Sequence, residues 1–167
     1  LLIEAPDVPD TEMRNALRWK IKDLVSIPLD DAAIDYFRLP EDGANARKKM
    51  VYVVITELSK LRDIVELIKT ANLKLQAIDI NELSIRNLTS KLLDPRYEGR
   101  GVAIARLRQG QGSVGLFKKG NLYLSRQFDL DYNAGLLEDL PVEILALELQ
   151  RSLDYYERQM GQSPPGV

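Results

Sequence analysis

The chain contains no cysteine and no histidine among its 167 residues. Without cysteine there is no disulfide, no thiol nucleophile and no cysteine-based zinc site, and the compartment is left open. Without histidine the usual general base near neutral pH, the Ser-His-Asp arrangement and the commonest metal ligand all drop out. Carboxylates are then the main groups left for acid–base or metal chemistry. No run of 18 apolar residues is present, so no transmembrane helix is expected. Strong net charge is lacking too: 23 basic and 25 acidic residues leave a formal charge of -2. Such a chain exerts no long-range attraction on nucleic acid. The densest basic groups, Arg47-Lys48-Lys49 and Lys118-Lys119, are short and read as solvated surface.

What is present is a globular composition, 45 % hydrophobic and 29 % charged, rich enough in apolar side chains to form a core. Asp7-Val8-Pro9-Asp10 opens a helix, with Met13, Leu17, Ile21 and Leu24 at helical spacing. Trp19 lies roughly opposite that stripe, where it either packs on a neighbouring element or marks a contact surface; Arg18 beside it completes a pair of residue types enriched at binding hot spots. Residues 32–39 and Met50–Ile55 read as strands, the second apolar enough for the centre of a sheet. Thr56 is placed to cap a helix whose apolar face is Leu58, Leu61, Ile64, Val65 and Ile68. Leu73–Ile80 reads as a third strand, making a βαβ candidate. Asn81 is placed to cap a further helix with Leu88 and Leu92 on its inner side.

The pattern changes after the stretch 94–101. Three short strands, Val102–Leu107, Ser113–Phe117 and Leu122–Phe128, are separated by Gly-containing turns and form a meander. One or two helices follow to about Gln159, Asp139 and Pro141 marking a candidate internal restart, with an i,i+3 pair between Glu148 and Arg151. The turn Arg108-Gln109-Gly110-Gln111-Gly112-Ser113 is glycine-rich, but no Gly-Lys-Ser/Thr follows and no helix follows, so it is neither a Walker loop nor a dinucleotide fingerprint. A hairpin turn is the simpler reading than a phosphate cradle. The acids Asp129, Asp131, Glu138, Asp139 and Glu143 lack calcium-loop spacing and read as caps and solvated charge, and Asp79 is a weak magnesium candidate.

Taken in order, Asn15-Ala16-Leu17-Arg18-Trp19-Lys20, then Ile27-Pro28-Leu29-Asp30-Asp31 and Ile34-Asp35-Tyr36, resemble the PilM family of type IV pilus assembly proteins. Ile68 to Leu75, Ile78-Asp79 and Leu149 to Tyr156 extend the resemblance, which spans residues 4–160. The cytoplasmic part of the type II secretion protein GspL is similar as well. The resemblance implies an α+β chain with part of an actin-like, ribonuclease-H-like fold. Residues 7–93 would be an inserted subdomain like that of FtsA, 101–160 the start of the second ribonuclease-H-like half, and 161–167 a linker or truncation tail. The expectation is a piece of a longer protein.

Nucleotide-binding members of that family carry an Asp-x-Gly turn on the first strand of the second half. Here Arg106 stands where the acid belongs and Arg108 where the glycine belongs, leaving only Gly110 and Gly112 of an anion-friendly turn. The resemblance therefore implies a scaffold with no hydrolytic activity, no cofactor and no metal in this piece. The competing reading is a fragment of an actin-like ATP-binding protein whose site is completed by sequence outside it. The implied partners are a PilN-like bitopic inner-membrane protein and other pilus-assembly proteins, with no nucleic acid. The implied location is the cytoplasmic face of the inner membrane of a Gram-negative bacterium, held there only through partners. Arg18 and Trp19 are the expected partner contact.

Overall fold

A computed structural model describes residues 1–41, 49–94, 96, 99, 101–161 and 163. The chain divides into two compact units, one running from Leu1 to Ile78 and the other from Asp79 onward, apart from the segment 42–46. The range 7–93 expected as one subdomain therefore straddles both units.

In the first unit, β1 (Leu2–Glu4), β2 (Ala32–Arg38) and β3 (Met50–Glu57) form a three-stranded sheet in the order β1-β3-β2. Both pairings are antiparallel, with Ile34 opposite Ile55 and Ile3 opposite Val51. The apolar run Val51 to Ile55 thus occupies the middle strand, as its composition predicts. One face of that sheet buries Val51 and Val53 against Met13, Leu17 and Ile21 of α1 (Asp10–Lys20) and the turn after it. Pro9 stands at the N-cap, where its missing N–H costs nothing.

Several local expectations for this unit fail. Leu24 is 58 % exposed rather than on the buried stripe, because α1 stops at Lys20 and the chain turns through residues 21–24. Thr56 belongs to β3; α2 (Leu58–Thr70) starts after Glu57 without any side-chain cap. No residue of α2 is fully buried, and Ile64, expected on its inner face, is exposed. Residues 73–80 form no strand: they run without ladder bonds, with Leu73, Leu75 and Ile78 exposed. The βαβ unit is accordingly absent among the described residues, and the sheet is antiparallel instead. Alternating apolar side chains favour extended backbone, but a strand exists only where a partner edge meets it.

The second unit is the expected meander, β4 (Val102–Arg108), β5 (Gln111–Lys118) and β6 (Asn121–Asp129), paired antiparallel in sequence order. α3 (Asn81–Leu92) and α4 (Val142–Met160) pack on it. Arg126 reaches α4 and its neighbour Gln127 reaches α3, so the two helices cover opposite faces of the sheet. A bulge lies where Leu116 pairs with Leu124 but Phe117 pairs with Leu122. Tyr123 is the extra residue; its buried ring meets Tyr156 of α4 edge-on, with centroids 5.9 Å apart. Asn81 is the first helical residue of α3 rather than its cap, and Leu88 and Leu92, expected on its inner side, are 56 % and 74 % exposed. Thr89 is the residue that α3 buries. The restart before α4 is real: a 3-10 turn at Leu137–Asp139 precedes it, and Pro141 is its N-cap.

Candidate functional site

Arg18 and Trp19 sit side by side in the last turn of α1 but do different things. The Arg18 guanidinium donates to the Leu29 carbonyl and, at 3.1 Å, to Asp30 Oδ1. It is thereby engaged in holding the 3-10 turn Leu29–Asp31 against the helix. Trp19 is 72 % exposed, and the Lys22 ammonium lies 5.8 Å from its ring centroid. A cation there uses the ring's electron-rich face. Of the two readings for Trp19, internal packing or outward surface, the structure has the outward one. Leu24, in the turn after α1, is exposed as well.

The turn between β4 and β5 is a hairpin closed by the Arg108–Gln111 pair. Gly110 has φ of +71°, which glycine adopts without steric cost. Its amide donates to the Tyr132 carbonyl at 2.9 Å, and its own carbonyl accepts from the Leu130 amide at 3.2 Å. An anion at this turn would have to displace that amide from the segment that crosses it. Gly112 has a packing reason instead: a Cβ there would lie 2.3 Å from Phe128 Cε2. Arg106 is paired with Ser113 in the ladder and lines an apolar groove of about 390 Å³ with Leu88, Leu92, Val102 and Ile104. Arg108 is exposed at the strand end. Arg106, Arg108, Gly110 and Gly112 thus lie in a β-hairpin turn and its flanks.

The acids expected as caps or solvated charge do not converge: among the described residues no group of three or more acids is placed to hold a metal ion. Asp94 is held below the usual carboxylate range by hydrogen bonds from the Arg96 side chain and backbone. That pair lies two residues apart in an exposed loop, so the shift reflects local structure.

The sequence reading missed one ionic cluster. Glu148 of α4 is nearly buried and accepts from Arg151 at 2.5 Å and from Arg126 of β6 at 3.1 Å. Ser152 sits between them, donating to the Glu148 carbonyl at 2.7 Å and meeting Arg126 Nη1 at 3.3 Å. Spacing shows only the i,i+3 half, because Arg126 is 22 residues away. The cluster ties α4 to the sheet.

No family model matches the chain, and no curated protein does. Among solved structures, the chain is similar to one in a PilM-PilN type IV pilus biogenesis complex, with a TM-score of 0.68 and 18 % sequence identity. The match covers 98 % of this chain and 56 % of that one, so this chain spans little more than half the length of the structure it resembles. At that identity the likeness is one of fold, and it extends over both compact units.

Proposed function

We propose that this chain is part of a PilM-like, actin-like scaffold protein that assembles a type IV pilus, specifically an MshI-like component of an MSHA-type pilus. The observation that carries the reading is the fold likeness over 98 % of the chain to a protein of a PilM-PilN complex. The independent run of residues around Arg18-Trp19, Ile27-Pro28 and Ile34-Asp35-Tyr36 supports it. On this reading the protein works at the cytoplasmic face of the inner membrane. It reaches the membrane only through partners, the first being a PilN-like bitopic protein. It binds neither nucleic acid nor a cofactor through this piece and catalyses no hydrolysis. Two features support that last point: Arg106 at the position of the acid, and a Gly110 amide already bonded to Tyr132.

Trp19 and the surface beside it are the proposed partner contact, with Arg18 in the supporting role of fixing the turn behind it. The test is titration of the chain with the cytoplasmic tail of its PilN-like partner, for wild type and Trp19→Ala. An exposed tryptophan at the centre of a contact is worth about 2 kcal/mol, so binding should weaken by about thirtyfold. The melting temperature should move by no more than about 2 °C, because exposed substitutions rarely exceed about 0.5 kcal/mol. Unchanged binding, or a collapse in stability without a binding defect, overturns the contact. Turnover of ATP by the full-length protein would overturn the non-enzymatic reading.

A further inference from the structure

α3 and the β5–β6 hairpin enclose a pocket of about 200 Å³ in the second unit. Its lining includes the apolar residues Phe117, Val102 and Leu93 and the cationic residues Arg86, Lys118 and Lys119. Among the described residues no carboxylate lines it. Sequence alone shows Lys118-Lys119 as an ordinary short basic pair; Arg86 joins them only through the packing of α3 on β5 and β6.

Each cation is placed for a reason. Arg86 is half-buried, and its Nε and Nη2 donate to Asn87 Oδ1 at 3.1 and 2.8 Å. That neutral partner orients the guanidinium without cancelling its charge, and no carboxylate pairs with it among the described residues. Lys119 and Gly120 are the two central residues of the hairpin turn, with φ of 49° and 71°. Positive φ at both is the signature of a type I′ turn, which matches the twist of the flanking strands. Asn and Gly are the residues that favour this conformation, and a lysine there is unfavourable by comparison. Asn121 Nδ2 donates to the Lys119 carbonyl at 3.1 Å and fixes the turn. The pocket's hydroxyls are already committed, Thr89 to the Ile85 carbonyl and Ser90 to the Asn87 carbonyl, both at under 3 Å. Side-chain donation into the pocket therefore falls to Arg86 and Lys119, with Lys118 adding charge nearby.

We propose that this pocket binds a phosphate group, carried either by a small soluble phosphate compound or by an anionic lipid headgroup. A guanidinium offers a planar fork that matches phosphate oxygens, and flanking ammonium groups add charge without demanding geometry. The apolar part of the lining suits a ligand whose phosphate is attached to a non-polar body. The inference does not depend on the pilus reading.

The test uses the whole chain, labelled with nitrogen-15, titrated with inorganic pyrophosphate and separately mixed with phosphatidylcholine vesicles with or without phosphatidic acid. Saturable shifts at the Ser90 and Gly120 amides are expected, weakened by about tenfold or more in Arg86→Gln and again in Lys119→Gln, since each removes a charge-assisted bond to phosphate. Lys119 is exposed, so its variant keeps the fold even if Arg86→Gln does not. Arg62→Gln removes the same charge from the first unit and should leave binding unchanged. Binding to phosphatidic acid vesicles that the Lys119→Gln variant loses identifies a headgroup; shifts with pyrophosphate alone identify a soluble ligand. The proposal is overturned if no saturable shift occurs at these amides, or if all three variants weaken binding equally, as bulk charge screening would.

Discussion

Glu148 offers the sharpest test of how the second unit is held together. It receives two arginines, and the structure separates their worth. Arg126 comes from β6, keeps 31 % of its side chain exposed, and meets a carboxylate that is only 10 % exposed. Arg151 lies one turn along the same helix with 57 % of its side chain in water. Breaking a fully buried pair costs about 3–5 kcal/mol, because the survivor is left uncompensated. Arg126 can still turn partly to solvent, which brings the expected coupling between Arg126 and Glu148 down to about 1–2 kcal/mol. Arg151 can turn to water within the same helix, so despite the 2.5 Å contact its i,i+3 pair with Glu148 is expected to contribute only about 0.3–0.5 kcal/mol. Two double-mutant cycles measure this, Arg126→Met with Glu148→Gln and Arg151→Met with Glu148→Gln, each in urea. Near-ultraviolet circular dichroism is a suitable readout, because the Tyr123–Tyr156 contact joins the same two elements. If the Arg151 coupling equals or exceeds that of Arg126, burial is not what gives the cluster its strength and the reasoning fails.

Two further outcomes follow from packing. Leu17 is fully buried between α1 and the first sheet, so Leu17→Ala should destabilise that unit by about 2–5 kcal/mol, measured by thermal denaturation; a loss under about 1 kcal/mol would show that α1 is not held as described. Gly112→Ala places a methyl 2.3 Å from the Phe128 ring, and since that ring is only half-buried it should swing aside at a cost of about 1–3 kcal/mol; a neutral substitution in urea would mean Gly112 is present for another reason.

The division between what was legible and what was not follows the range of the interactions. The meander β4-β5-β6 was readable because its turns are local: Gly110 and Gly120 take positive φ beside alternating apolar runs. The Met13-Leu17-Ile21 stripe and the central position of β3 were readable for the same reason, since periodicity and composition are properties of one segment. Residues 73–80 show the limit. Their pattern suits a strand, but no described edge pairs with them. The helix faces show it again: Leu88 and Leu92 repeat at helical spacing, yet the structure packs α3 through Thr89.

The sequence by itself determined the excluded chemistry, through the missing histidine and cysteine. It also set most helices and the local hairpins, because turns and apolar periods act over a few residues. Only the tertiary structure decided which of those surfaces meet. It turned Trp19 outward, bonded the Gly110 amide to Tyr132, brought Arg126 across 22 residues to Glu148, and gathered Arg86 with Lys118 and Lys119 around one pocket. Each of these depends on which elements pack together, and a local pattern of residues carries no information about its distant neighbour.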